Sequence, residues 1–390
     1  MRRCVARRRP LRAGKRNSLQ EVLKRWERDE AWTMDSRERT FLALEHQVAD
    51  RIPLDFWASK ATVAKLTATL RTSYEEFLER HDVDLRYIEG PRYVGPPLAE
   101  GKDVWGVGRI TVKVPVLDGV ESYTEVAESP LAGAASVDDI ERYPGWPSPD
   151  WFDYRVVEGQ CNAIRDRGRV VVFMGDRLNR VAQLKPAIYL RGMEDLFIDL
   201  AANVEVARAI LRKIKEFYLV YLERILEAAN GKIDIVLTGD DFGSQNGPLL
   251  SPAMWRDLLK PGFAEYLALI RRYGVKSMHH TCGSVVDLIP DMIECGLDVL
   301  QSIQPSAAGM SFPELYVRFG DRLCFHGGVC VQQTMPFGTR NEIRAAVKEI
   351  AEVAKSRGGY IFCTSHNIQA DTTVENTQAL LEAYHEFGRQ

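Results

Sequence analysis

The feature that most constrains the fold is a regular alternation of short apolar segments with longer amphipathic ones. Eight short segments, centred near residues 54, 87, 172, 235, 278, 300, 324 and 362, are almost continuously apolar. Such runs are typical of parallel strands that are buried on both faces. Repeated strand–helix units favour a parallel sheet, and eight of them favour closure. The sequence therefore predicts an α/β fold, a (β/α)8 TIM barrel.

An open, doubly wound sheet is the alternative architecture. It is less favoured because the early part of the chain lacks the glycine-rich phosphate-binding turn of such sheets. Residues 36–390 are expected to form the barrel as one domain, a usual length for this fold. Residues 91–149 interrupt the alternation with glycine, proline and alternating apolar residues. This pattern predicts a small β-rich insertion after the second strand.

Residues 1–35 differ in composition from the rest of the chain. Eight arginines and lysines precede the first acidic residue, Glu21. A basic segment with few apolar residues cannot bury enough surface to fold, so a disordered extension is predicted. Transit peptides have a similar composition, and Met34 offers a second possible start.

Composition excludes several classes of function. The chain has 390 residues, of which 27% are charged, and a formal net charge of −3. This balance gives no reason to expect nucleic acid or an anionic membrane as a partner. The sequence also lacks a run of about 18 apolar residues that could span a bilayer. Seven scattered cysteines indicate reduced thiols, so a cytoplasmic location is expected.

In a barrel of this kind the active site lies at the carboxyl ends of the strands. Nearly every predicted strand ends in a polar or metal-binding residue: Asp55, Glu89, Asp176, Asp240, Asp241, His280, Cys282, Gln301, Gln304, His326, Cys363 and His366. Taken singly, each of them is better explained as a cap or a solvated loop residue. The whole set, however, would converge in one pocket, where we expect the functional groups.

The metal hypothesis starts from the strand that ends at His280 and Cys282. Residues two apart in a strand face the same way, so this imidazole and this thiol share one face. Together with Cys363, after the last strand, they form a set that suits Zn²⁺ and leaves one position open. Asp241 or Glu89 is available as a further ligand. The alternative is that the cysteines are small buried apolar residues.

Zinc keeps a coordinated thiol ionised, and a thiolate is a good methyl acceptor. A zinc site in the barrel mouth therefore suits methyl transfer with a planar corrinoid (cobalamin) that covers the mouth. Asp241, His326 and His366 are the candidate catalytic residues, the two histidines for proton transfer. The candidate substrate-binding residues are Asp55, Glu89, Asp240, Gln301 and Gln304.

Several motifs resemble those of the uroporphyrinogen decarboxylase family. They occupy residues 37–46 with 50–56, 241–247 with 251–252, 280–283, 325–328, and 365–368 with 375–376. The resemblance covers roughly residues 36–388 and implies a (β/α)8 barrel.

The resemblance implies one of two chemistries. True decarboxylases need no cofactor and hold substrate propionates with an arginine segment near the first strand, which residues 55–60 (DFWASK) do not match. Other relatives transfer methyl groups between corrinoid proteins and thiols or methylated substrates. They bind zinc through a His-x-Cys motif and a later Cys, and His280, Cys282 and Cys363 match this pattern. The chain is thus closer to the methyltransferase branch.

We therefore expect a zinc-dependent methyltransferase that acts on a small molecule together with a corrinoid or a corrinoid protein. A decarboxylase of a tetrapyrrole or another carboxylate is the alternative enzyme. A non-catalytic corrinoid- or tetrapyrrole-binding protein is the alternative outside catalysis. Cys363 also lies in a segment that resembles the decarboxylase-type histidine segment at His366, where it would be an ordinary strand residue.

Overall fold

The computed structural model describes residues 34–116, 119–175 and 180–389. From Asp35 onward these residues form one compact unit. The predicted basic extension falls almost entirely on residues 1–33, which lie outside the described residues, as does Asp176. Within the described chain, no helix is long and apolar enough to cross a membrane.

The strands, in chain order, are β1 (Leu85–Ile88), β2 (Arg92–Tyr93), β3 (Gly108–Val116), β4 (Gly119–Glu128), β5 (Phe152–Asp153), β6 (Val170–Phe173), β7 (Ile235–Gly239), β8 (Lys276–His280), β9 (Val299–Ile303), β10 (Cys324–Gly327) and β11 (Tyr360–Ile361).

The helices, in chain order, are α1 (Ser36–Leu44), α2 (Lys60–Leu70), α3 (Tyr74–Arg80), α4 (Val137–Glu141), α5 (Val157–Arg165), α6 (Leu184–Arg191), α7 (Met193–Ala202), α8 (Val204–Ala228), α9 (Pro252–Leu258), α10 (Lys260–Arg272), α11 (Ile289–Glu294), α12 (Phe312–Phe319), α13 (Thr334–Phe337), α14 (Arg340–Ala354) and α15 (Val374–Phe387).

A curled parallel sheet of seven strands has the order β1-β6-β7-β8-β9-β10-β11. On its inner face, residues such as Val172, Leu237 and Met278 pack into a small apolar cluster. On its outer face, neighbours such as Val171 and Val236 pack into the larger core with the helices. Burial on both faces explains why these strands are continuously apolar. The α/β class and the parallel sheet are confirmed.

Residues 53–55 connect the two edges of this sheet. The N–H of Phe362 donates to the carbonyl of Pro53 at 2.8 Å, and the N–H of Asp55 donates back to Phe362 at 2.9 Å. On the other side, the N–H of Asp84 donates to the carbonyl of Leu54 at 2.8 Å. Such a connection is what closure into a barrel requires. The segment is bridged rather than regular strand because Pro53 has no N–H to donate.

Between β1 and β6 the chain departs from the strand–helix alternation. Strands β3 and β4 pair antiparallel along their whole length and form a two-stranded hairpin apart from the main sheet. Strands β2 and β5 form a second antiparallel pair. Residues 91–149, where we predicted a β-rich insertion, contain this hairpin and α4.

Two helical segments are each interrupted at a single residue. The segment 178–200 contains α6 and α7, which meet at Gly192, where the backbone φ is +89°. This left-handed conformation ends a helix and is available to glycine at little cost. The segment 252–273 is divided at Leu259 into α9 and α10, because Pro261 lacks the N–H that a continuous helix requires.

Candidate active site

The carboxyl end of β8 carries the histidine and cysteine that the sequence pattern singled out. His280 lies two residues after Met278 and is 3% exposed. Its Nε2 lies 3.4 Å from the Sγ of Cys282. His279, one residue earlier, packs instead against aromatic rings of the outer core. The alternation of the strand thus directs one imidazole and one thiol to the same place.

Gln301 on β9 holds the His280 ring. Its Oε1 lies 3.0 Å from Nδ1 of His280, and its Nε2 donates to the Sδ of Met278 at 3.5 Å. Because an amide oxygen only accepts, Nδ1 carries the proton in this arrangement and Nε2 keeps its lone pair. A metal-binding histidine has its second ring nitrogen held in the same way. Gln301, predicted to bind substrate, is fully buried behind a candidate ligand.

His366, in the loop after β11, completes a group of three donors. One ligand atom each from His280, Cys282 and His366 lies within 4.8 Å of the others. The two histidine rings have their centroids 5.4 Å apart. The Trp57 ring packs against both, at 5.6 Å and 5.1 Å between centroids. We call these three residues the donor group.

Cys363, predicted as the third zinc ligand, lies in a different cluster with Asp55 and His326. There Asp55 Oδ2 accepts hydrogen bonds from Nε2 of His326 at 2.9 Å and from the Tyr87 hydroxyl at 2.6 Å. All three members of the cluster are buried. Cys363 follows the inward-facing Ile361 by two residues, so it faces the barrel interior, while His366 lies further along the loop.

Asp241 borders the donor group. Its Oδ1 lies 3.8 Å from Nε2 of His280 and accepts the backbone N–H of Cys282 at 3.2 Å. Its Oδ2 lies 2.5 Å from Nζ of Lys185. Burial opposes its ionisation, but the charge of Lys185 outweighs it and lowers the pKa of Asp241 below the ordinary value. This carboxylate is therefore ionised at neutral pH.

The charge states of the donor group follow from burial. Burial, and next the charge of Asp241, raise the pKa of Cys282 to about 12, so the thiol is protonated unless a cation binds. Burial, and next the charge of Arg180, lower the pKa of His280 well below the ordinary value. Burial also lowers the pKa of His366. Neutral imidazoles are the form that binds metals.

Three predicted substrate-binding residues lie elsewhere. Asp240 accepts the backbone N–H groups of residues 183–185 at 2.6–3.0 Å and so caps the start of α6. Burial raises the pKa of Asp240 to about 6, although these donors act in the opposite direction. Gln304 bonds to neighbouring polar side chains at 2.5 and 3.0 Å. Glu89 is exposed.

A cavity of about 670 Å³ opens onto the donor group. Its walls include His280, His366, parts of α6 and parts of the β3–β4 hairpin. The charged side chains in its walls are four cations and two anions, namely Lys60, Arg109, Arg180, Lys185, Glu121 and Asp241. The aromatic side chains in its walls are Trp57, Trp105, Tyr123, Tyr189 and Tyr218.

The prediction from strand ends missed most of these cavity residues. They belong to loops, to α6 and to the hairpin, whose positions depend on long-range packing. Only Trp57 had a usable signal, because it follows Asp55 by two residues at the end of the predicted first strand.

The sequence model of the family described as Uroporphyrinogen decarboxylase (URO-D) matches residues 182–387. A uroporphyrinogen decarboxylase from Anaeromyxobacter dehalogenans is 26% identical over 233 residues, 58% of this chain and 61% of that protein. The methylcobamide:CoM methyltransferase MtaA of Methanosarcina barkeri is 27% identical over 175 residues, 44% of this chain and 46% of that protein.

The chain thus spans about half to three fifths of the length of the curated relatives it matches. Among solved structures, a methyltransferase from Methanosarcina mazei shares the fold with a TM-score of 0.64. The similarity covers 91% of this chain and 99% of that one at 19% identity. This neighbour supports a TIM-barrel-like architecture for the part of the chain that the similarity covers.

Proposed function

Because the chain belongs to the uroporphyrinogen decarboxylase family, we propose that it is a zinc-dependent methyltransferase. It moves a methyl group between a corrinoid, free or on a partner protein, and a small thiol or methylated substrate. The observation that carries this proposal is the donor group at the cavity, His280, Cys282 and His366. A relative named as a methylcobamide:CoM methyltransferase supports the same chemistry.

The donor group fits zinc by residue type and by spacing. Imidazole nitrogen and thiolate sulfur are the usual zinc ligands, at about 2.0–2.3 Å, which separates tetrahedral neighbours by roughly 3.3–3.8 Å. The 3.4 Å between His280 and Cys282 agrees with this spacing. His366 takes the place for which Cys363 was predicted, because Cys363 belongs to the cluster with Asp55.

When bound, zinc would supply the positive charge that keeps a coordinated thiol ionised and would leave one position for substrate. Gln301 orients His280 so that Nε2 faces that charge. Asp241 is ionised and lies beside Nε2 of His280, where it can accept the proton of an incoming substrate thiol. Lys185 holds this carboxylate in place.

Decarboxylation of a tetrapyrrole is the competing function, and the decarboxylases among the relatives favour it. Such a substrate carries many carboxylates, and burying them requires many matching cations. The cavity wall has four cations against two anions, and two of the cations are paired, Lys185 with Asp241 and Arg109 with Asp103. This balance favours a substrate with few charges.

Metal analysis of purified variants tests the proposal. Wild-type protein is expected to bind one zinc per chain, and C282A and H366A are expected to lose at least tenfold in zinc affinity. C363A is the matched control, because it removes a buried thiol of the same barrel outside the donor group, and it should keep the metal.

Activity is measured by incubating the protein with methylcobalamin and a panel of thiols, and following the corrinoid absorbance. Transfer that stops in chelator and returns with zinc is the expected result. Less than about a tenth of an equivalent of zinc, or full activity in chelator, would overturn the proposal. Metal-free turnover of uroporphyrinogen would establish the decarboxylase instead.

A further inference from the structure

Arg109 and Tyr189 offer hydrogen-bonding N–H and O–H groups in a part of the cavity wall that is separate from His280, Cys282 and His366. Arg109 stands on β3 of the hairpin, and Tyr189 stands on α6. The guanidinium carbon of Arg109 lies 4.4 Å from the centroid of the Tyr189 ring, and both residues line the cavity. Neither residue lies at the end of a barrel strand.

The Tyr189 hydroxyl lacks a partner. Its oxygen is buried and has no hydrogen bond to any residue that the structure describes. A buried hydroxyl without a partner costs about 1–3 kcal/mol, so native structures rarely leave one. Tyr189 itself lines the cavity, so a ligand that extends to this hydroxyl can supply the missing acceptor.

Arg109 is held beside this hydroxyl with donors to spare. Its Nε and Nη2 lie 2.8 and 2.7 Å from Asp103 Oδ2, and its side chain is 9% exposed. Asp103 Oδ1 accepts backbone N–H groups from Trp105 and Val107 at 2.9 and 3.1 Å, which fixes the carboxylate. Nη1 of Arg109 forms no hydrogen bond within the described chain. A fixed guanidinium, paired with Asp103 but with an N–H to spare, therefore lies over the ring that carries the unused hydroxyl.

We infer that Arg109 and Tyr189 form a subsite for the acid group of the substrate. An oxyanion there accepts the Tyr189 O–H and an N–H from Nη1 of Arg109, in charge-assisted bonds. That the bound acid takes part in methyl transfer rests on the proposed function. The acid-binding subsite itself rests only on the residues of this cavity wall. Because Arg109 on the hairpin and Tyr189 on α6 would bind the acid group, they would determine which substrates the protein accepts.

The rest of the cavity indicates an aromatic body for this acid. A volume of about 670 Å³ lies within the roughly 300–1,000 Å³ of sites for drug-sized ligands and exceeds the need of a two-carbon thiol acid. Trp57 and Tyr123 add accessible aromatic surface to the wall, which favours contact with a ring. The substrate class is thus an aromatic acid that bears its methyl group on oxygen or sulfur.

Calorimetric binding to the full-length chain tests the subsite. The ligands are 4-methoxybenzoate, its neutral counterpart methoxybenzene, the corresponding sulfonate and phosphonate, and 2-mercaptoethanesulfonate as a small anion. Wild-type protein is expected to bind one of the aromatic acids at least tenfold more tightly than methoxybenzene. The sulfonate and phosphonate arms identify which acid group the subsite accepts.

Y189F is the decisive variant, because it removes the hydroxyl and keeps the ring under Arg109. It should weaken binding of the acid about tenfold, or about 1.4 kcal/mol, and leave methoxybenzene binding unchanged. Y273F is the matched control, since its hydroxyl lies near Glu223 on the outside of the molecule, and it should bind like wild type. R109K should weaken the acid further, with unfolding curves to verify that the variant is folded.

The outcomes separate this inference from the proposed function. Equal binding of acid and neutral ligand, an unaffected Y189F, or binding of 2-mercaptoethanesulfonate alone would overturn the aromatic-acid subsite. Acid binding that persists in protein without zinc or methyl transfer would retain the subsite and overturn the methyltransferase proposal. Zinc-dependent methyl transfer together with acid binding that Y189F leaves unchanged would retain the methyltransferase proposal and overturn the subsite.

Discussion

At the scale of single residues, Gln301 shows the largest difference between prediction and structure. The sequence predicted that it binds substrate, whereas the structure places it against the His280 ring. It fixes the His280 ring through Nδ1 and does not line the cavity. Outer partners of this kind tune metal affinity about 10–100-fold, because they set the proton position and the ring orientation. We therefore expect Q301L to lose zinc affinity by that factor.

Competition with a chromophoric chelator measures the effect of Q301L. Q304L is the matched control, because Gln304 is also a buried glutamine near a strand end but bonds to Ser306 and Gln332. Its zinc affinity should equal that of wild type. Equal affinities in Q301L and Q304L would show that Gln301 does not position the ligand.

The residues on β8 could be predicted because a strand has a fixed period of two. His280 and Cys282 needed only that period and the rule that barrel sites lie at strand ends. The third member of the donor group could not be chosen between Cys363 and His366 by spacing. The regular strand ends at Ile361, and the loop path after it sets which side chain reaches the mouth.

At the scale of elements, the start of α9 is the clearest case of local sequence deciding structure. Ser251 precedes Pro252, and its hydroxyl accepts the N–H of Met254 at 3.2 Å. Loss of such a cap costs about 1 kcal/mol of unfolding free energy. S251A should therefore lower the stability by about that amount in urea denaturation.

Ser311 provides the internal control for this prediction. It occupies the same position before α12 and is also followed closely by proline, but its side chain makes no cap hydrogen bond. S311A is expected to change the unfolding free energy clearly less than S251A. If both variants lose the same stability, the cap hydrogen bond is not the cause.

The strands were predictable to within a few residues because burial on both faces leaves a continuous apolar run. Helix interruptions are harder to predict. Gly192 and Pro261 lie inside segments whose apolar period is otherwise helical, and a single residue decides whether the chain continues or turns. The path of the β3–β4 hairpin over the mouth depends on contacts such as Glu121 with Ser59, which local pattern does not encode.

At the scale of the whole molecule, the last helix packs against the first part of the barrel through two stacked histidines. The rings of His81, after α3, and His385, in α15, have centroids 5.8 Å apart. Burial, and next the charge of His385, lower the pKa of His81 to about 4. Burial, and next the charge of Arg51, lower the pKa of His385 as well. Both rings are neutral in the folded protein at neutral pH.

The sign of the resulting pH dependence follows from proton binding. Below the ordinary histidine pKa of about 6.5 the unfolded chain takes up protons that the folded chain refuses until about pH 4. The free energy of unfolding should therefore fall as pH falls from about 6.5 to 4. Asp240, with its pKa raised to about 6, takes up a proton on folding and offsets part of this loss.

Comparing H81Q with wild type isolates the histidine pair from the other titrating groups. The variant keeps a polar side chain of similar size and removes one proton-binding site and its repulsion of His385. Its unfolding free energy should decline less steeply between pH 6.5 and 4 than that of wild type, in urea titrations of metal-free protein. Because Asp240, His280 and His366 are present in both proteins, their contributions cancel in the difference. Parallel pH profiles for H81Q and wild type would mean that the stacked histidines do not link the last helix to the acid stability of the barrel.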